Sequence, residues 1–127
     1  MSNTILYIED DMQHQRMLSK ALTFRGYNVL QAADGHDGLE AAFNEQPDLI
    51  LLDMLLPDLP GMEVYYRLRS DDATRHIPVV AVTASDNEDL REAAISQGFD
   101  GFLEKPLNTR TLDDSIQNFL AKNPVLY

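Results

Sequence analysis

The sequence predicts a doubly wound α/β protein, in which a five-stranded parallel sheet carries helices on both faces. Five short aliphatic runs alternate with five longer stretches of helical spacing, the pattern of successive βαβ units. The run Leu49–Leu52 is continuously apolar, as a central parallel strand buried on both faces should be. The 127 residues suffice for one domain with a single hydrophobic core.

Each predicted strand is a short run of aliphatic or β-branched residues bounded by polar or turn-forming residues. Gly101–Leu103 is the weakest of them, because it is short and begins with glycine. The crossovers between them should be right-handed. Because the strands are parallel, their carboxyl ends should all lie at one edge of the sheet. The predicted strands are Ile5–Ile8, Tyr27–Leu30, Leu49–Leu52, Val79–Val82 and Gly101–Leu103.

Capping residues mark the ends of the predicted helices. Gly26 and Gly98 are placed to end the first and fourth helices, because glycine readily adopts the left-handed conformation of a helix C-terminus. Asp34 is positioned to cap the second helix. Ser85 and Glu88 have the spacing of a capping box at the start of the fourth.

Residues at helical spacing give each predicted helix one apolar face. The face of the fourth helix is the thinnest, so that helix should move at the lowest cost. From the first helix to the fifth, the predicted inward-facing residues are Met17, Leu18, Ala21 and Leu22; Leu39, Ala42 and Phe43; Val64 and Leu68; Leu90, Ala93, Ala94 and Ile95; and Leu112, Ile116, Phe119 and Leu120.

Composition excludes several classes of protein. The net charge of −11 disfavours nucleic acid and anionic membrane surfaces, since no basic cluster offsets it. No run approaches the ~18 apolar residues of a membrane span, and the apolar run near the start is too short for a signal peptide. The absence of cysteine fits a reducing, cytoplasmic setting and excludes thiolate metal sites.

Polar side chains follow four of the five predicted strands. In doubly wound sheets, ligands bind outside the carboxyl ends of the strands. We therefore expect carboxylates, a hydroxyl and an ammonium group to share one crevice if these strands are neighbours. The residues in question are Glu9, Asp10 and Asp11 after the first strand, Asp53 after the third, Thr83, Ala84 and Ser85 after the fourth, and Glu104, Lys105 and Pro106 after the fifth.

This set of groups favours phosphoryl transfer to a carboxylate. Two carboxylates ~4 Å apart repel by about 4 kcal/mol at an effective dielectric of ~20, so the crevice needs counter-charge. Lys105 supplies one positive charge, and an all-oxygen site suits Mg²⁺, with Mn²⁺ as an alternative. Taken singly, these residues have ordinary explanations as helix caps and turn formers. Their occurrence at successive strand ends favours the functional interpretation.

The chain resembles the receiver domain of bacterial two-component response regulators. The likeness lies in "ILYIEDD", in "PDLILLDMLLPDLPGMEV", in "IPVVAVTAS" and in "GFDGFLEKPL", and it covers nearly the whole chain. It implies the flavodoxin-like strand order 2-1-3-4-5. It also implies a receiver domain over residues 1–123, followed by a short tail over residues 124–127.

The resemblance implies a role for each strand-end residue. Asp53 would accept a phosphoryl group, and the direct Mg²⁺ ligands would be Asp10, Asp53 and the backbone carbonyl of Met54. Glu9 would bind the ion mostly through water, whereas Asp11 is interpreted as the cap of the first helix. Residues that would contact the phosphoryl group or switch with it are Thr83, Ala84, Phe102 and Lys105. The Lys105–Pro106 bond would be cis.

Phosphorylation would then switch a surface formed by the fourth helix, fifth strand and fifth helix. Thr83 would turn toward the phosphoryl group, and Phe102 would move from an exposed to a buried position. Leu55 and Ser85 lie two residues beyond Asp53 and Thr83, and neither strongly orients water. We therefore expect slow dephosphorylation, and we expect no enzymatic activity beyond assistance to the protein's own phosphorylation and dephosphorylation.

Two other functions remain as alternatives. A haloacid-dehalogenase-type phosphohydrolase would need an acid at the position of Leu55. A receiver-like interaction module that is not phosphorylated usually lacks one of the site residues, all of which are present here. The expected partners are a sensor histidine kinase or histidine phosphotransfer protein and a downstream protein or missing output domain, with the chain a monomer or a weak phosphorylation-dependent dimer. The sequence leaves open whether it is a stand-alone receiver or part of a longer regulator, and its histidines are expected at the surface.

Overall fold

A computed structural model describes residues 3–84 and 87–122. Strands and helices alternate throughout, as the sequence predicts. The strands are β1 (Thr4–Ile8), β2 (Asn28–Ala32), β3 (Leu49–Asp53), β4 (Val79–Ala84) and β5 (Gly101–Lys105). The helices are α1 (Met12–Phe24), α2 (Gly35–Glu45), α3 (Gly61–Ser70), α4 (Glu88–Gln97) and α5 (Thr109–Lys122).

The sheet is parallel with strand order β2-β1-β3-β4-β5, so the predicted fold class is confirmed. The order reverses between β1 and β3, which are neighbours. The second strand begins one residue later than predicted and continues to Ala32, because its whole length pairs with β1, from Thr4↔Asn28 to Ile8↔Ala32. The carboxyl ends of β1 and β3 thereby meet at the switch point of the sheet.

Side chains from alternate positions of the strands form two cores, one on each face of the sheet. In β1, Leu6 and Ile8 belong to the core beneath α2, α3 and α4, while Ile5 and Tyr7 belong to the core beneath α1 and α5. All four residues from Leu49 to Leu52 are fully buried. Each contributes roughly 1.5–3 kcal/mol of apolar burial, which makes β3 a rigid support for Asp53.

Three residues predicted to face inward are exposed: Met17 by 45%, Phe43 by 54% and Ile95 by 58%. In α1 the buried positions are Gln15, Leu18, Ser19 and Leu22, and a polar residue at two of them disguised the true face. In α2 the small residues Gly35, Gly38 and Ala42 allow a close approach to the sheet, which turns Phe43 outward. An apolar residue beside the buried stripe was thus mistaken for part of it.

The ends of α4 differ in part from the prediction. Its cap is Asn87, whose side chain accepts a hydrogen bond from the Leu90 N–H at 3.3 Å. The predicted cap Ser85 lies outside the described residues, as does the tail over residues 124–127. Gly98 follows the helix with φ of 97°, as expected. Only Ala94 of this helix is buried, which confirms the thin apolar face. Within the described part of the chain, no helix is both long and apolar enough to span a membrane.

Candidate functional site

Three carboxylates meet where the strand order reverses. Glu9 and Asp10 follow β1 and Asp53 ends β3, and one oxygen from each lies within 4.8 Å of the others. Glu9 and Asp53 are 1% and 6% exposed, whereas Asp10 faces solvent. Asp11 stands apart as the cap of α1, accepting hydrogen bonds from the N–H groups of Gln13 and His14, in agreement with the sequence interpretation.

Lys105, at the end of β5, supplies a positive charge to this cluster. Its Nζ lies 2.5 Å from Glu9 Oε1 and 3.3 Å from Asp53 Oδ2. The bond from Lys105 to Pro106 is cis. A single ammonium group therefore faces two buried carboxylates, so the cluster keeps an excess of negative charge unless a proton or a further cation is present.

Glu9 and Asp53 respond to this crowding in opposite directions. Burial and a hydrogen bond with Glu9 raise the pKa of Asp53 to about 7. Burial alone would raise the pKa of Glu9, but hydrogen bonds from Asp53, Lys105 and the Asp11 N–H lower it to about 2. Burial also acts against the charge of Lys105, yet the two carboxylates outweigh it and raise its pKa. Near neutral pH the Glu9–Asp53 pair therefore shares one proton part of the time.

Two of the residues that hold this cluster were not predicted from the sequence. The Tyr7 hydroxyl donates to Glu9 Oε1 at 3.0 Å, and burial together with the Glu9 carboxylate raises the pKa of that tyrosine. Strand alternation could have revealed it, since Tyr7 and Glu9 are two residues apart on one side of the strand. The second residue is His14, whose side chain is 42% exposed and whose Nδ1 lies 3.2 Å from Lys105 Nζ.

The histidines are expected at the surface, but His14 is only partly exposed and contacts a residue of the site. His14 lies in the first turn of α1, and the orientation of the helix against the sheet brings its side chain to the site. Its Nδ1 is a third polar atom within hydrogen-bond distance of Lys105 Nζ, after the Glu9 and Asp53 carboxylates. His36 is more exposed, and its Nδ1 contacts Asp58 at 2.6 Å.

Thr83, near the end of β4, is 4% exposed, and its Oγ1 has no hydrogen-bond partner among the described residues. A buried hydroxyl without a partner is costly, and this one can still donate a hydrogen bond to an oxygen placed near it. Ala84 follows it and is exposed, while Ser85 is outside the described residues. Phe102 is half-buried, and the Arg91 guanidinium of α4 lies over its ring at 4.2 Å from the centroid.

The loop between β3 and α3 borders the site on the solvent side. The Met54 carbonyl accepts a hydrogen bond from the Gly61 N–H at 3.1 Å, and Leu55, which is 64% exposed, donates its N–H to Asp53 Oδ1 at 3.0 Å. A Cβ at Gly61 would lie 2.6 Å from the Met54 Cα, so this close approach requires glycine. Asp58 fixes the far side of the loop by accepting from the Gly35 and His36 N–H groups at the start of α2.

The donor atoms of the cluster suit a hard divalent cation such as Mg²⁺, which prefers carboxylate, carbonyl and water oxygens. Asp10 has no hydrogen bond or ion pair with any other described residue, so its carboxylate is available as a ligand. Asp53 and the carbonyl of Met54 are the other candidates, and a cation would relieve the charge excess that a single lysine leaves. Glu9, with its oxygens already bonded to Lys105, Tyr7 and Asp11, is better placed to act through water.

The fold and this site define a class of doubly wound α/β domains with an acidic, lysine-paired centre at the switch point of the sheet. Sequence comparison is more specific. A profile of the family described as "Response regulator receiver domain" matches residues 5–117, and the chain belongs to that family. Receiver domains of this kind act in two-component signal transduction.

The curated relatives include a protein of about the same length as this chain and proteins that are much longer. The polar-differentiation response regulator DivK of Brucella anthropi is 32% identical over 125 residues, which cover 95% of this chain and 98% of DivK. PleD of Caulobacter vibrioides is 40% identical over 108 residues, and TcrX of Mycobacterium tuberculosis, a probable transcriptional regulatory protein by its name, is 35% identical over 105. These matches cover 85% and 83% of this chain but only 24% of PleD and 44% of TcrX.

Solved structures agree with the fold. A CheY-like receiver domain protein from Methanospirillum hungatei superposes with a TM-score of 0.88 at 28% identity, covering 97% of each chain. The receiver domain of the sensor histidine kinase PA1611 from Pseudomonas aeruginosa has a TM-score of 0.87 at 29% identity, covering 95% of this chain and 99% of that one. That structure holds a magnesium ion coordinated in its active-site cleft.

Proposed function

We propose that the protein accepts a phosphoryl group on Asp53 from a sensor histidine kinase or histidine phosphotransfer protein in a Mg²⁺-dependent reaction. The observation that carries this proposal is the pairing of two buried carboxylates with Lys105, together with the buried hydroxyl of Thr83 near the end of the neighbouring strand β4, which has no hydrogen-bond partner in the described part of the chain. An acceptor carboxylate, a positive charge and an unused donor are what phosphoryl transfer requires. Asp10, Asp53 and the Met54 carbonyl would hold the ion, with Glu9 acting through water.

In this reaction a carboxylate oxygen of Asp53 attacks the phosphorus atom, and the bond from phosphorus to the donor nitrogen breaks with its electron pair leaving on nitrogen. Asp53 must first lose the proton that it holds part of the time near neutral pH. Lys105 would move from the carboxylates to the phosphoryl oxygens, and Thr83 would donate its hydroxyl to one of them. The bound cation would supply the remaining charge neutralisation.

The same proposal includes a switch at the surface of α4, β5 and α5. Thr83 would turn toward the new oxygens, leaving space into which Phe102 could move. In the present conformation the Arg91 guanidinium covers the Phe102 ring, so this contact would have to break. Because α4 has a thin apolar face, its displacement costs little burial. A downstream partner or an attached output domain would read the altered surface.

The decisive experiment is incubation with a small-molecule phosphodonor, followed by intact mass measurement. We expect a gain of one phosphoryl group with Mg²⁺, its loss on treatment with hydroxylamine, which cleaves acyl phosphates, and no gain in the presence of a chelator. Absence of a gain with Mg²⁺ would favour the alternative of a receiver-like interaction module that is not phosphorylated. Continuous release of phosphate at steady state would instead indicate a phosphohydrolase.

Mg²⁺ affinity is expected to depend on pH. Because the pKa of Asp53 is raised to about 7, a cation that binds below this pH must first displace the proton. The apparent affinity should therefore fall as the pH decreases below about 7, with a slope that approaches about tenfold per pH unit, and level off above it. Calorimetric titration between about pH 5.5 and 8.5 measures this slope, and a constant affinity over that range would contradict the raised pKa.

The phosphorylated state is expected to be long-lived, because the apolar side chain of Leu55, two residues after Asp53, would partly shield the site and cannot orient water. Leu55→Asn should accelerate loss of the phosphoryl group several-fold, since an amide can hold a water for attack on phosphorus. Leu55→Ala separates the two effects by removing the cover without adding an amide. Decay is followed by intact mass after removal of the donor, and equal lifetimes in all three proteins would refute a role for Leu55. The corresponding role proposed for Ser85 rests on its sequence position alone.

The proposal also covers the bounds of the domain, the recipient of its signal, its location and its oligomeric state. The receiver domain is assigned to residues 1–123, with a downstream protein or output domain as the recipient of the signal. We also propose that the protein is cytoplasmic, which is compatible with its lack of cysteine. A monomer, or a dimer that forms weakly on phosphorylation, is the expected state, and the net charge of −11 disfavours direct contact with nucleic acid.

A further inference from the structure

Gln15 is on the buried face of α1, and its side chain reaches back to the loop that carries Glu9 and Asp10. It is 2% exposed, and its Nε2 lies 3.0 Å from the Tyr7 carbonyl, 3.0 Å from the Glu9 carbonyl and 2.8 Å from the Ala32 carbonyl. One amide group thus connects α1 to the ends of both β1 and β2. These contacts lie directly behind the carboxylate cluster.

The contact with the Glu9 carbonyl bears most directly on the site, because this carbonyl belongs to the peptide that joins Glu9 to Asp10. Fixing that carbonyl fixes the peptide plane and hence the direction in which the Asp10 side chain leaves the backbone. The Ala32 carbonyl also accepts from the Glu9 N–H at 2.9 Å, so Gln15 and the loop share an anchor on β2. The three carboxylates repel one another, and the loop needs such an anchor to keep them within 4.8 Å.

The other end of the same amide argues against a purely stabilising role. Gln15 Oε1 is buried and has no hydrogen-bond partner among the described residues. Burying an acceptor without a donor destabilises a fold. An apolar side chain of the same length would avoid that cost but would lose the contacts with the three backbone carbonyls, so the amide N–H groups are the part of this residue that the structure uses.

We propose that Gln15 is a positioning residue for the acidic site, which holds the Glu9–Asp10 peptide in the orientation that binds the divalent cation. This inference rests on the proposed function, since it concerns the metal site of the same reaction. Gln15 touches neither the carboxylates nor the phosphoryl position and acts through the backbone. Outer groups of this kind typically change metal affinity by about 10–100-fold when removed.

Gln15→Met tests the proposal, because methionine has a similar length and lacks the donor. We expect the dissociation constant for Mg²⁺, measured by calorimetry, to rise by about 10–100-fold. We also expect the amides of residues 9–11 to exchange faster in the absence of metal, while protection of β4 stays unchanged. In phosphorylation with a small-molecule donor, the half-saturating Mg²⁺ concentration should rise and the rate at saturating Mg²⁺ should stay close to that of the wild type.

Two further variants make the result specific. Gln13→Met, at an exposed glutamine of the same helical turn, should match the wild type in every measurement. Gln15→Asn keeps an amide on a shorter side chain and should give an intermediate Mg²⁺ affinity, which also tests the idea if the methionine variant does not fold.

The proposal would be overturned if both Gln15 variants bound Mg²⁺ as the wild type does, or if Mg²⁺ affinity fell only in parallel with the loss of β4 protection. These outcomes are distinct from a failure of the proposed function, because that failure would appear in the wild type as an absence of phosphorylation. Mg²⁺ binding and amide exchange in the unphosphorylated protein remain measurable in either case.

Discussion

Asp53→Asn is expected to abolish phosphorylation and, in the absence of metal, to make the protein more stable above pH 7. A carboxamide has no charged oxygen for attack on phosphorus, so no phosphoryl group should be gained. The stability change follows from the raised pKa of Asp53, about 7 in the fold against 3.8 as its ordinary value. The native state holds this proton more tightly than the unfolded chain does, so the contribution of Asp53 to stability is lost as pH rises from about 4 to 7.

Asparagine avoids this loss of stability with rising pH, because its side chain carries no charge at any of these pH values. We expect a gain of about 1 kcal/mol at pH 8, since the lowered pKa of Glu9 already offsets much of the penalty in the wild type. Intact mass reports phosphorylation, and denaturant unfolding at pH 5 and pH 8 reports stability. Asp114→Asn, at an exposed acid on α5, should leave both unchanged.

The two readouts test different statements about Asp53. If the asparagine variant still gained a phosphoryl group, another residue would be the acceptor. If the variant lost stability at pH 8 relative to the wild type, the buried carboxylate would be better compensated by Lys105 than its raised pKa indicates.

Lys105→Met is expected to slow phosphorylation by about 10²-fold or more, because no other described side chain supplies a positive charge at hydrogen-bond distance from Asp53. It should also destabilise the fold by about 3 kcal/mol at pH 8, since it leaves the Glu9 and Asp53 carboxylates without their cation. Both carboxylates can relieve their repulsion by taking up a proton. The loss of stability should therefore be smaller at pH 5 than at pH 8.

This pH dependence comes from proton uptake by the carboxylates and not from titration of Lys105. Its pKa is raised, so its contribution to stability is complete below the ordinary lysine value and persists across the whole range of the experiment. Lys20→Met removes an exposed lysine from α1 and serves as the control for loss of a charge. An equal loss of rate in both variants would indicate a general electrostatic effect, and a loss of stability independent of pH would argue against the carboxylate cluster as its cause.

The sequence predicted the fold because hydrophobic periodicity and strand-end chemistry are local properties of the chain. Leu49–Leu52 showed a strand buried on both faces, and the structure buries every one of its residues. The positions of Glu9, Asp10, Asp53 and Lys105 followed from the rule that parallel strands present their carboxyl ends at one edge. Strand order was implied by the resemblance and confirmed by the pairing of β1 with β3.

Apolar residues on the borders of helix faces were the main error in the prediction of the core. Phe43 and Met17 are large and apolar, but they lie outward because smaller or polar neighbours take the positions against the sheet. Helix rotation is set by how closely two surfaces can approach, and Gly38, whose Cβ would lie 2.5 Å from an Ile8 methyl, lets α2 come close. Composition does not reveal that distance.

By itself, then, the sequence determined the alternation of elements, the residues at each strand end and the chemistry that they could perform together. The tertiary structure alone decided which further side chains support that chemistry: Gln15 behind the acidic loop, His14 beside Lys105, and Arg91 over Phe102. None of these contacts follows from spacing in one element, because each depends on the rotation of a helix relative to the sheet. That rotation is fixed by close packing over the whole core, a property that no local stretch of sequence contains.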